Sequence, residues 1–183
     1  MFAQGEIKMK KCLIVVDFQN DFIDGALGFK EASKIKSPII EKINRYRKNN
    51  NDIIFTMDTH VDDYLNSEEG INLPVKHCIK GTKGHEIQED VKDLIKPEDK
   101  IFEKPTFPSL ELGKYLEKQN YDVIEICGLV SNICVLSNAV IAKSALPNAH
   151  IIVDALATDS YDKSLHQKTL DILEGLHVEV INK

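Results

Sequence analysis

No stretch of this chain stays apolar for anything near the roughly 18 residues that a membrane-spanning helix needs, so no helical span is expected. The opening residues, MFAQGEIKMKK, lack the apolar centre of a secretory signal, and residues 1–10 are expected to form a frayed leader at most. An excess of positive charge is missing as well. The formal charge is −6, which gives no electrostatic reason to expect nucleic acid or an anionic membrane as partner. The four cysteines, Cys12, Cys78, Cys127 and Cys134, form no C-x-x-C pair. A disulfide framework is therefore not expected, and the cytoplasm is the default compartment. Internal repeats, low-complexity tracts and linkers are absent too, so residues 1–183 read as a single domain, long enough to bury a core without staples.

What is present is an alternation of short apolar runs and amphipathic stretches. Cys12–Val16 (CLIVV), Ile53–Phe55, Lys100–Glu103, Val123–Ile126, Ala149–Val153 and His177–Ile181 have strand length and strand composition. Between them, Ile39, Ile40, Ile43 and Tyr46 repeat at helical spacing, with Ser37-Pro38 as cap and first turn. Further helices are expected over Glu86–Ile95, over Ser109–Gln119, from about Ser131 onward, and over Asp162–Glu174 with Gly175 as the C′ residue. The pattern implies a three-layer α/β/α, Rossmann-like doubly wound fold on a six-stranded, mainly parallel sheet covered on both faces. In such folds ligands bind beyond the carboxyl ends of the strands. Asp17, Asp58, Lys104, the bend before Cys134 and Asp154 all fall at or just past those ends, and one shared rim is expected for them.

Cys134 has the most reactive address. It lies in the first turn of a helix that follows a strand and a tight bend, where free N–H groups favour a thiolate and can hold an oxyanion. The Gly-x-Ser-x-Gly form of this elbow is absent. Lys104 can lower the thiol pKa, and Asp17, its own pKa lifted by partial burial, can take the thiol proton and return it to a leaving amine. The bland alternative is a capping Asp17, a surface Lys104 and a buried Cys134. Separately, Asp58 and His60 are two apart in an extended segment and point the same way. With His77 and a loop carboxylate they could hold Zn²⁺, Fe²⁺ or Mn²⁺, although loops are also rich in such residues for solubility. Cys78 points away from His77 and is left out. His85, His150, His166 and His177 read as surface or core residues. Phe22, Tyr64 and Phe107 lie in loops at the same rim and could enclose a flat ring, or serve only as packing.

These residues sit in five segments, VVDFQNDF (Val15–Phe22), DTH (Asp58–His60), HCIKGTKG (His77–Gly84), EKPTFPS (Glu103–Ser109) and CGLVSNICV (Cys127–Val135). Together they resemble the isochorismatase-like cysteine hydrolases, most closely the nicotinamidase/pyrazinamidase branch, over nearly the whole length from Leu13 to about Val180. The resemblance implies a Cys134–Lys104–Asp17 triad. It also implies a cis Leu129–Val130 peptide that turns the Val130 N–H toward the Cys134 N–H, so that both face one oxyanion. It further implies Asp58, His60 and His77 as ligands of one divalent metal, zinc first, that holds a pyridine nitrogen, with Phe22 against the ring. Many members carry a further histidine where this chain has Tyr64, and Glu69 is the better substitute of the Glu68–Glu69 pair. The implied activity is cleavage of nicotinamide to nicotinate and ammonia through a cysteine thioester. Other small amides or carbamoyl compounds remain open, as do a metal-dependent hydrolase with an incidental cysteine and a catalytically silent binding protein. Whether the chain forms a homo-oligomer is also left open.

Overall fold

The computed structural model describes residues 9–183; the expectation for a leader over 1–10 falls mostly outside them. Six strands form one sheet: β1 (Lys11–Val16), β2 (Asp52–Asp58), β3 (Lys100–Lys104), β4 (Val123–Leu129), β5 (His150–Asp159) and β6 (Glu179–Ile181). Their order is β3-β2-β1-β4-β5-β6, and every pairing is parallel. The helices are α1 (Asn20–Ile23), α2 (Lys36–Lys48), α3 (Glu68–Asn72), α4 (Glu89–Lys92), α5 (Leu110–Glu117), α6 (Leu136–Ala145) and α7 (Lys163–Gly175).

Strand alternation divides the core in two. Cys12, Ile14 and Val16 point to the face that packs residues of α5, α6 and α7. Leu13 and Val15 point to the other face, beneath Ile39, Ile43 and Tyr46 of α2. Burial on both faces is why these strands read as continuous apolar runs. Chain direction across the sheet reverses between β1 and β4, and a doubly wound sheet opens its ligand crevice at that switch point. Asp17 leaves β1 and Cys134 follows β4, one on each side of it. Gly128, at φ 116°, lets the two strands close there, because a Cβ would sit 2.0 Å from the Val16 carbonyl oxygen.

Several local expectations need correction. Ser37 is not a cap: the 3₁₀ turn Ala32–Ile35 runs directly into α2, and its Ser33 carbonyl accepts the Lys36 N–H. The helix expected over Glu86–Ile95 shrinks to α4, because 86–88 is held extended against 18–20 by the Asn20 N–H to Glu86 O and Gln88 N–H to Phe18 O bonds. Gly175 is the last residue of α7 and not its C′ residue, and His177 takes the left-handed conformation beyond it. The fifth strand does not end at Asp154. It continues to Asp159 through a register shift opposite Ile126–Gly128. Asp154 therefore leaves the expected rim and pairs with Lys42 of α2.

Candidate active site

The parallel register sets Asp58 beside Lys104 at the ends of β2 and β3. Asp17, one residue past β1, adopts φ 45° and turns its carboxylate inward. Its Oδ1 accepts the Thr56 hydroxyl at 2.6 Å, and its Oδ2 lies 2.6 Å from Lys104 Nζ. That approach is an ion pair without a well-directed hydrogen bond, so buried Oδ2 still has acceptor capacity. Lys104 Nζ also lies 3.3 Å from Asp58 Oδ1 and 3.6 Å from Cys134 Sγ. Thus Asp17, Lys104 and Cys134 meet, as does Asp58, and Lys104 is only 1% exposed.

Cys134 lies in a wide first turn, Ser131–Val135, in which the Val135 N–H reaches back five residues to the Val130 carbonyl at 3.2 Å. Such π-turns recur at functional sites. The Leu129–Val130 peptide is cis. One turn later Asn138 donates to Cys134 O at 2.8 Å and Phe107 O at 3.1 Å, and it accepts the Ser109 N–H. This amide fixes the Phe107 loop to the cysteine helix.

The electrostatics differ from the sequence expectation at one point. Burial pushes the Cys134 thiol well above its ordinary pKa, and Lys104 only partly offsets this. Burial likewise raises Asp17 above the usual carboxylate range against the pull of Lys104. For Lys104 burial opposes the charge, but Asp17, Cys134 and Asp58 outweigh it and hold the ammonium form. A buried site of this kind favours carrying one negative charge beside Lys104. Passing a proton from Cys134 to Asp17 moves that charge from carboxylate to sulfur without changing the total.

Beside the triad, Asp58, His60, Glu69 and His77 offer ligand atoms that all lie within 4.8 Å of one another. His60 Nε2 is 3.0 Å from Asp58 Oδ2 and 3.4 Å from Glu69 Oε1; His77 Nε2 is 3.3 Å and 3.7 Å from the same atoms. Ligands about 2.0 Å from a tetrahedral ion stand about 3.3 Å apart, so these spacings fit one. The buried Glu69 Oε2 has no hydrogen-bond partner among the described residues, and the His77 Nδ1 bond to Val75 O at 2.8 Å leaves Nε2 to face the group. Burial opposes a charge on His60, yet Asp58 and Glu69 push its pKa up to about 9, so the carboxylates around it favour a positive charge at this point. Asp58 is held well below the usual carboxylate range: burial opposes this, but His60, His77 and Lys104 prevail.

A cavity of about 310 Å³ brings Cys134, Asp58, Glu69 and His77 to one wall, with Phe22, Phe107, Ile133 and Tyr161 around it. Phe22 and Phe107 thus stand where the sequence put them. Tyr64 does not line this cavity. It is buried behind the metal-capable group, with ring centroids 4.6 Å from His60 and 5.0 Å from His77, and its hydroxyl donates to Leu73 O. Glu68 lies outside the group, bonded to Asn72, and Cys78 is not part of it.

Three contributors escaped the sequence. Gln19 is fully buried: its Oε1 accepts the Asp58 N–H at 2.7 Å, and its Nε2 donates to the carbonyls of Asp58 and His85. No periodicity announces a buried amide. Asn138 has the same character. Tyr161 was missed because the fifth strand was ended too early; an end at Asp159 would have placed it on the rim.

The comparisons with known proteins settle the class first. A nicotinamidase from Saccharomyces cerevisiae is 24% identical over 216 aligned residues, with 94% of this chain and 100% of that protein covered. The pyrazinamidase of Pyrococcus horikoshii in complex with zinc shares the fold at a TM-score of 0.82 and 23% identity, with 95% of this chain and 99% of that one covered. An N-carbamoylsarcosine amidase from Thermoplasma acidophilum superposes at a TM-score of 0.78 and 26% identity, with 94% and 95% covered. The chain is an amidohydrolase. More particularly, the isochorismatase domain model matches residues 11–183, and the chain belongs to the isochorismatase family.

Proposed function

We propose that this amidohydrolase cleaves nicotinamide, and pyrazinamide with it, to the free acid and ammonia through a thioester on Cys134. The observation that supports this most is the contact of Lys104 with both Cys134 and Asp17 at the wall of a small cavity that none of the surrounding Lys or Arg side chains lines. A neutral aromatic amide suits such a lining. A carboxylate-bearing carbamoyl compound would need a cation there, and a divalent ion beside Asp58 and Glu69 is already balanced by their charges.

In the proposed sequence, Asp17 Oδ2 takes the Cys134 proton and the sulfur bonds to the carboxamide carbon. The Val130 and Cys134 N–H groups receive the oxyanion; removal of one such donor typically costs about 10²–10³ in rate. The C–N bond then breaks, and Asp17 returns the proton to departing ammonia. Water attacks the thioester with Asp17 as base, the acid leaves, and the thiol is restored. Lys104 stays charged throughout and stabilises whichever of carboxylate or thiolate is present. Asp58, His60, Glu69 and His77 would hold one divalent ion, with Zn²⁺ first on this N/O donor set and Fe²⁺ or Mn²⁺ next. When bound, it supplies a Lewis-acidic point for a ring nitrogen. Phe22 and Phe107 would flank the ring. In a cell the reaction would serve recovery of the pyridine ring for NAD in the cytoplasm.

Ammonia release from nicotinamide by the wild type and by Cys134→Ala tests the reading. Turnover by the wild type alone is expected. An active Cys134→Ala protein would overturn the thioester route, and an inactive wild type loaded with each of the three metals would overturn the substrate.

A further inference from the structure

The reaction cavity does not end at its mouth. A groove of about 810 Å³ continues it, sharing Glu69, Leu73, Phe107, Ile133 and Tyr161 with the inner cavity. We propose that this groove is a second subsite, which takes an extension carried by an amide substrate and selects a neutral or positively charged one. The inference rests on the amidohydrolase reading of the inner cavity and enlarges its substrate class beyond a single ring.

Two properties of the groove carry it. The first is apolar exposure along one continuous path: Val61 is 62% exposed, Tyr161 61% and Phe107 40%. A one-ring amide seated against Cys134 lies in the inner cavity and has nothing to place against Val61, which lines only the groove. The second is charge. Asp63, Glu68 and Glu69 line the groove with His60, and no Lys or Arg of the described residues does; Glu69 and His60 belong to the metal-capable group, so Asp63 and Glu68 set the charge of the groove. An anionic tail would meet Asp63 and Glu68 there, whereas an ammonium or an alkyl tail would not be repelled. The floor is already built, which keeps the ordering cost low. Ser67 caps α3 by accepting the Gly70 N–H at 3.0 Å, and the Tyr64 hydroxyl ties the floor to Leu73 O at 3.0 Å.

The test uses the metal-loaded full chain and four amides: nicotinamide, and nicotinamides substituted at ring carbon 5 or 6 with propyl, aminopropyl or carboxyethyl. The carboxyethyl compound buries one methylene fewer, worth about fourfold, and brings its charge against Asp63 and Glu68, so the propyl and aminopropyl compounds are expected to exceed it at least about tenfold in kcat/KM. Asp63→Lys combined with Glu68→Lys, both outside the inner cavity, should invert the aminopropyl-to-carboxyethyl preference and leave nicotinamide within about twofold. Calorimetric binding of the same four compounds to Cys134→Ala should give the same order, and it reads the subsite even if nicotinamide is not hydrolysed. Equal binding and turnover of the three extended amides would overturn the subsite while leaving the nicotinamidase reading intact. So would a dimer that Val61→Asp dissociates, combined with no preference among the three, because the groove would then be a contact between copies of the chain. Hydrolysis of some other neutral amide but not nicotinamide, with the tail preference present, would overturn the substrate reading alone.

Discussion

Lys104 and Lys42 are both buried lysines flanked by two carboxylates, yet only Lys104 lies beside a cysteine that lines a cavity. Lys42 on α2 pairs with Glu125 at 2.7 Å and with Asp154. Arg45 adds a second cation on Glu125 at 2.7 Å, and Asp154 also accepts from the Leu156 N–H and Asn182. Two cations thus meet two carboxylates. Asp154 is accordingly held below the ordinary carboxylate range: burial opposes this, but Lys42 and Asn182 outweigh it. Lys104 also faces two carboxylates, Asp17 and Asp58, but Asp58 is shared with His60 and His77, and a thiol and a cavity lie beside the group. Asp17 is raised, not lowered, and its Oδ2 lacks a directed partner. Buried charge by itself therefore does not mark the site. What sets the Lys104 group apart is a carboxylate raised by burial, with an oxygen that lacks a directed partner, beside a thiol and a cavity.

Matched substitutions would break this comparison if it is wrong. Lys104→Met should lower nicotinamide turnover by at least about 10⁴-fold, as loss of a member of a catalytic unit does, and the protein should still melt cooperatively. Retention of more than a tenth of the rate would refute a role for its charge. Lys42→Met should do the reverse: a loss of about 3–5 kcal/mol, because two buried carboxylates are left short of a cation, with kcat/KM within about twofold below the melting range. The sign with pH follows from Asp154. Its depressed pKa contributes stability above the ordinary carboxylate pKa of about 4 and loses it as pH falls, so wild type and Lys42→Met should converge in acid.

Chelation probes the metal-capable group that shares Asp58 with Lys104. Stripping the divalent ion should abolish most turnover and remove the stabilisation that binding supplies, about 2.7 kcal/mol when the free ion stands at 100 times its Kd. Unchanged turnover after metal content falls to zero would reject the role given to Asp58, His60, Glu69 and His77. A smaller effect is expected from Asp17→Asn in chelated protein. Replacement should destroy turnover but stabilise the fold by about 1 kcal/mol, or about 2–4 °C in Tm. The pKa of Asp17 is raised on folding, so its charge costs stability as pH rises above about 4. The gain should therefore be present at neutral pH and vanish in acid. A destabilised Asp17→Asn protein would mean that Lys104 needs both carboxylates.

Much of this contrast was legible in the sequence, for a physical reason. Strands buried on both faces must be apolar throughout, so Cys12–Val16 and Val123–Ile126 stand out, and the first charged residue beyond such a run marks the rim. That logic found Asp17, Asp58 and Lys104. It misplaced Asp154, because β5 continues past a polar residue whose charge is met by Lys42, more than a hundred residues away in the chain. Gln19 and Asn138 could not be seen at all, since their value lies in bonds to distant backbone. The thiol was misjudged for another reason. A helix start favours a thiolate only if water or charge compensates its burial, and the degree of burial is a tertiary property.

The finest test concerns Arg45, whose removal would leave the Lys42 cluster with one cation for two carboxylates. If the ratio alone decided the energetics, Arg45→Met would cost nearly as much as Lys42→Met. Arg45, however, is 55% exposed, so water and salt already screen its pairing with Glu125. The expected loss is at most about 1 kcal/mol, smaller still at high salt, with turnover unchanged. Denaturant melts of the two variants side by side at low and high salt would decide it. A large, salt-insensitive loss for Arg45→Met would show that charge balance outweighs burial in this protein. The contrast between the two lysines, drawn from burial and access, would then have to be drawn from charge balance instead.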